Sequence, residues 1–186
     1  TMEQLHIFRS LAVIALLLLI SPAMAVAERR MALVIGNAAY ETIPLRNPVN
    51  DASDMATALR RIGFDVTLLR NADLRTMHES IEAFSHRLRQ GGLGLFYFTG
   101  HGVQVAGENY LIPLRARIAR EQDVPYEAMP VGRILGAMED AKNQANFVIL
   151  DACRDNPFAR RFRSSQRGLA VTQAVSGSLI AYATAP

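Results

Sequence analysis

The chain has 186 residues, half of them hydrophobic, with 20 Lys and Arg against 17 Asp and Glu, one cysteine and no tryptophan. That length and apolar share describe one globular domain with a real core, and exclude a disordered or low-complexity chain. The lone Cys153 excludes an intrachain disulfide scaffold, and a formal charge of +3 with no concentrated basic face gives no reason to invoke nucleic acid.

The N-terminus stands apart from the rest. Arg9 precedes an unbroken apolar run from Leu11 to Ile20, followed by Ser21-Pro22 and the small-residue pattern Ala23-Met24-Ala25. This order is that of a secretory signal peptide, with cleavage expected after Ala25 or Ala27 and residues 28–186 as the exported domain, periplasmic or secreted. The run is about half the roughly 20 apolar residues a spanning helix needs, so membrane attachment is expected only through an uncleaved signal.

Continuous apolar runs then alternate with amphipathic stretches. Residues 31–35 read as a short buried strand. Ala52, Met55, Ala56 and Leu59 recur at helical spacing behind Asn50-Asp51, a helix-start pair. Residues 66–69 read as a second strand, and Leu74, Met77, Ile81, Phe84 and Leu88 as a helix ending at Gly91-Gly92. The run 93–98 is apolar on both faces and predicts a central strand. Gly107-Glu108-Asn109 between two apolar patches suits a hairpin excursion. A helix over 131–141, a strand over 147–150, a polar loop and a strand over 179–183 complete the chain. Such alternation indicates an α/β domain with a mostly parallel sheet covered on both faces. Ending directly after a strand, the sequence reads as a catalytic domain that lacks its C-terminal end.

In open parallel sheets the ligand crevice lies beyond the carboxyl ends of the strands. After the third strand come Thr99-Gly100-His101-Gly102, and after the fourth Asp151-Ala152-Cys153-Arg154-Asp155. If those strands are neighbours, about 4.8 Å apart, His101 and Cys153 face each other across one edge. An imidazole beside a lone thiol suits nucleophilic catalysis, the His taking the thiol proton and later protonating the leaving amine. Gly102 permits close approach of substrate, and its N–H with that of Cys153 suits an oxyanion hole. The structural alternatives are a small buried cysteine and a histidine that merely occupies a turn.

The spacing 153 − 101 = 52 and the motifs Tyr97-Phe98-Thr99-Gly100-His101-Gly102 and Asp151-Ala152-Cys153-Arg154-Asp155-Asn156-Pro157 carry a family likeness. With Ile35-Gly36-Asn37, Asn50-Asp51-Ala52 and Asn109-Tyr110-Leu111-Ile112-Pro113, the chain from about Arg30 onward resembles the caspase-like cysteine peptidases, closest to bacterial metacaspase-like members. The resemblance implies a three-layer caspase-like sandwich, a His101/Cys153 dyad and Gly102 and Cys153 as oxyanion donors. It further implies an acidic pocket for an Arg or Lys side chain, with Asp51, Asp151 and Thr99 at the matching positions, and hence a peptide or protein substrate with a basic residue before the scissile bond. Arg46 lies near the loop where classical caspases use arginines to receive Asp. Capping is the competing role for Asp51 at its helix start and for Asp151 at its turn. The arginines Arg160, Arg161, Arg163 and Arg167 fall where relatives are processed, which suggests self-cleavage, though a solvated basic loop explains them equally. The rival overall reading is a catalytically silent scaffold or peptide-binding module.

No dinucleotide loop, Walker sequence or nucleophile elbow occurs. His78 and His86 lack a zinc-ligand pattern, so no metal is expected. Calcium activates some relatives, but no acidic loop here supports it, and no cofactor is implied.

Overall fold

The computed structural model describes residues 28–153, 158, 169–170 and 177–183. Its first strand, β1 (Arg30–Gly36), is buried from Met31 to Gly36, as a continuous apolar run demands. Helix α1 (Pro48–Arg61) follows, then β2 (Asp65–Arg70), α2 (Leu74–Leu88) and β3 (Leu93–Val105). A hairpin carries the chain into β4 (Glu108–Leu111), and a short helix α3 (Val124–Glu127) leads to β5 (Met129–Pro130). Helix α4 (Val131–Asp140), β6 (Ala145–Cys153) and β7 (Ser178–Tyr182) complete the described elements.

Five strands pair in parallel in the order β2-β1-β3-β6-β7, while β4 and β5 extend the far end of β3 as an antiparallel excursion. The sheet is therefore α/β and mostly parallel, as the alternation of patterns predicts. Helix α1 covers one face: Ala52, Ala56 and Leu59 pack with Ala32, Val34, Leu95 and Tyr97. Helices α2 and α4 cover the other, where Met77, Ile81, Phe84, Ile134 and Met138 meet Leu33, Ile35, Phe96 and Phe98. A third cluster under the excursion holds Val103, Tyr110, Ile112, Ile118 and Val124.

Two details depart from the sequence pattern. Helix α1 begins at Pro48, so Asn50-Asp51 lie inside its first turn and the cap position falls to Asn47, whose side chain makes no capping bond. Proline tolerates the first helical turn because its missing N–H would be unpaired there anyway. Strand β3 does not stop at Phe98 but runs on through Val105, since β4 pairs with its continuation from Val105 back to Gly102. The reason β1 and α1 approach so closely is Gly36: a β-carbon there would stand 2.4 Å from the Pro48 carbonyl oxygen and 2.6 Å from the Ala52 β-carbon. Close packing at the start of α1 brings Asp51 to the carboxyl end of the sheet.

Candidate active site

The carboxyl ends of β3 and β6 form the site. Their register pairs Thr99 with Asp151, Gly100 with Ala152 and His101 with Cys153, so the strands are adjacent and the two candidate dyad residues occupy one rung. Alternate residues of a strand share a face, which puts Tyr97, Thr99 and His101 together on the α1 side.

His101 is 3% exposed. Its Nε2 lies 2.7 Å from the Ile43 carbonyl oxygen, and a carbonyl only accepts, so Nε2 carries the ring proton. In the neutral ring Nδ1 is then the basic nitrogen, and it is buried with no partner among the described residues. Burial holds the imidazole below its ordinary value, while the Ile43 carbonyl opposes that shift by stabilising the charged form. The ring therefore rests as a free base whose protonated nitrogen is held by main chain rather than by a carboxylate.

The acidic residues converge on the same face. Asp51, half-buried in α1, has its carboxyl raised by burial first and then by the negative charges of Asp151 and Asp54. Asp151 accepts a hydrogen bond from the Tyr97 hydroxyl at 3.3 Å. Tyr97 is held well above the usual phenol range by burial, then by Asp151 and Asp51, while a Thr99 hydrogen bond works in the opposite direction. Asp51, Tyr97, Thr99 and Asp151 thus form one electrostatically coupled polar cluster. Among the described residues neither carboxylate joins a salt bridge, and their like charges raise the Asp51 carboxyl. The capping role considered for Asp51 does not hold, because the residue sits within the helix.

Gly102 is buried one position past the last β3–β6 pair, with the Ala152 and Leu169 side chains against its α-carbon. Arg46 is exposed. The four arginines from Arg160 to Arg167 and the signal-like segment lie outside the described residues. Among the described residues there is no cluster of three metal-ligating side chains and no helix long and apolar enough to cross a membrane.

Three contributors have no counterpart among the residues singled out from sequence. Tyr97 stands within the His101 motif, and period-2 alternation from His101 back through Thr99 is the signal that places it on the site face. Tyr40, whose ring centroid lies 4.5 Å from that of His101, comes from a loop without periodicity. The Ile43 carbonyl belongs to the main chain, and no side chain advertises it.

Comparison with known proteins supplies the family. A sequence model of the caspase domain, in the C14 peptidase group, matches residues 29–186. The human mucosa-associated lymphoid tissue lymphoma translocation protein 1 is 30% identical over 132 residues, covering 69% of this chain and 15% of that protein. Its mouse homologue matches to the same extent. The chain therefore spans less than a sixth of the length of these curated relatives. A solved Geobacter sulfurreducens protein superposes with a TM-score of 0.51 at 18% identity, over 69% of this chain and 52% of its own, which bears on the fold alone. With a family match across residues 29–186 and a His-Cys pair on adjacent strand ends, the chain belongs to the caspase-domain family of cysteine peptidases.

Proposed function

We propose that the protein is an exported cysteine endopeptidase of metacaspase-like type that cuts after Arg or Lys. The observation that carries this reading is a buried His101 whose Nδ1 is proton-free and unpartnered among the described residues, on the rung shared with Cys153. In the proposed reaction the Cys153 thiol gives its proton to Nδ1 of His101 and the sulfur attacks the substrate carbonyl carbon. The carbonyl oxygen becomes negative and is received by the N–H groups of Gly102 and Cys153. Collapse breaks the C–N bond as His101 returns the proton to the leaving amine, and a water then hydrolyses the thioester with His101 again as base. A guanidinium or ammonium between Asp51 and Asp151 relieves their repulsion, and Thr99 adds a hydroxyl to the pocket wall.

Hydrolysis of matched peptides with Arg, Lys or Asp before the scissile bond tests the proposal. Arg and Lys peptides are expected to be cut and Asp peptides spared. Cys153→Ala should abolish turnover, and His101→Ala should lower it by about 10²–10⁴-fold. Asp-directed cutting would overturn the pocket assignment, and absence of turnover in the wild type would favour the scaffold reading. Intact-mass analysis of the same incubations reads the self-processing proposal: new termini after Arg160, Arg161, Arg163 or Arg167 are expected in wild type and not in Cys153→Ala.

A further inference from the structure

The loop between β1 and α1, residues 37–47, grips His101 at three points. It is itself folded back, with the N–H groups of both Tyr40 and Leu45 donating to the Ala38 carbonyl. The Ile43 carbonyl takes the Nε2 proton of His101. The Tyr40 ring tilts against the imidazole at 49°. The Tyr40 hydroxyl, finally, accepts from the His101 backbone N–H at 3.0 Å and donates to the Ile112 carbonyl at 3.0 Å. Ile112 in turn donates its N–H to the His101 carbonyl at 2.9 Å.

The hydroxyl has one proton, and the Ile112 carbonyl can only accept, so the direction of this relay is unambiguous. His101 is thereby tied to Ile112 twice, once directly and once through Tyr40. Space for the phenol exists because residue 100 is glycine: a β-carbon there would stand 2.7 Å from the Tyr40 hydroxyl oxygen. A bare α-carbon beside the histidine is thus required by a neighbouring side chain, whatever the substrate needs.

We propose that Tyr40 is the positioning residue for His101, acting through two separable parts: its ring keeps the imidazole buried against the loop, and its hydroxyl locks the strand position from which the imidazole projects. This rests on the peptidase reading only for its kinetic consequence. The structural half concerns the histidine alone. Burial dominates the state of that ring and the Ile43 carbonyl opposes it, with no charged side chain of the described residues contributing. Cys153 shares the rung and would couple to the ring through its thiol, so with Cys153 replaced by Ala the titration of the imidazole reports how well the loop encloses it.

The test is NMR titration of the His101 ring in a Cys153→Ala background, alongside peptide kinetics with Cys153 intact, for Tyr40, Tyr40→Phe and Tyr40→Leu. Tyr40→Leu should move the titration up toward the ordinary histidine range and lower kcat about 100-fold, with KM within twofold, as expected for a displaced base. Tyr40→Phe keeps the ring, so it should keep the titration seen with Tyr40 and lower kcat by only about 3–10-fold, the size of one lost hydrogen bond. If Tyr40→Leu is poorly folded by thermal melt, Tyr40→Phe decides: unchanged kcat would remove any role for the hydroxyl and overturn the proposal. A Tyr40→Leu protein that folds and leaves both titration and kcat within twofold would also overturn it, and a rise in KM alone would make Tyr40 a substrate contact instead. Should the wild type cut no peptide, the titration still decides the positioning role and the peptidase reading fails separately.

Discussion

Tyr97 is the side chain that links the two carboxylates of the proposed acidic pocket. Burial and two carboxylates keep its phenol protonated at any working pH, so it is a permanent donor, and the oxygen it serves belongs to Asp151. That bond engages one carboxylate oxygen of Asp151, and under the proposed specificity the other would meet the substrate cation. Tyr97→Phe preserves the ring's packing with Val34 and Ala52 but removes the donor. We expect KM for an Arg peptide to rise about 3–10-fold, in line with the ~1 kcal/mol of a single hydrogen bond, while kcat stays within threefold. Michaelis–Menten measurements on the two proteins decide it, and an unchanged KM would detach Tyr97 from the pocket. At this scale the sequence is generous with side chains that belong to motifs: His101, Cys153, Thr99, Asp51 and Asp151 all fall on the two adjacent strands or at the start of α1. It is silent where the contact is made by main chain, as at Ile43, because a carbonyl is common to every residue.

Elements meet at Asn37, the first residue after β1. Its amide is fully buried, accepts from the Ala72 N–H at 2.8 Å and donates to the Ala72 carbonyl at 3.1 Å and, more weakly, to that of Ile112 at 3.4 Å. One side chain therefore ties the end of β1 to the β2–α2 connection and to the segment after β4. Asn37→Ala leaves a buried N–H at Ala72 without its acceptor, which should cost about 1–3 kcal/mol and lower Tm by several degrees. Denaturant unfolding of the variant measures this, and a loss below ~0.5 kcal/mol would show that water replaces the amide. The strands and helices with strong periodicity are legible in the sequence: the five apolar runs correspond to β1, β2, β3, β6 and β7, and the stripe from Leu74 to Leu88 to α2. The start of α1 and the length of β3 are not. Pro48 opens the helix earlier than Asn50-Asp51 suggest, and β3 continues because β4 pairs with it, a tertiary cause that no local pattern contains. Segments as short as β5 and α3, two and four residues, have no period to read.

At the scale of the whole molecule, chain order reverses at β1, which has β2 on one side and β3 on the other, and α1 and α2 consequently lie on opposite faces. Such a reversal opens a crevice at the carboxyl ends, and the loop from β1 to α1 fills its near side with Tyr40 and Ile43. Placing the imidazole there encloses it in protein, with a consequence for stability. Burial lowers the folded-state titration of His101, and of His78, where burial comes first and Arg133 adds to it while Glu82 opposes. A group whose folded value is depressed contributes fully above its unfolded value, about 6.5, where both states are neutral. As pH falls below about 6.5 the unfolded chain takes up protons before the folded one does, and that contribution is lost progressively until the folded values are reached. Stability should therefore decline as pH falls from about 6.5 toward the lower folded values, with a slope of at most ~1.4 kcal/mol per pH unit for each histidine. The raised carboxyl of Asp51 has the opposite sign, since a raised folded value stabilises the protonated protein, so it opposes the decline from the histidines wherever the two overlap. Urea unfolding midpoints across the window are expected to fall in wild type and to flatten when His101 and His78 are both replaced by Asn. A slope that survives the double substitution would place the pH-sensitive groups elsewhere in the molecule.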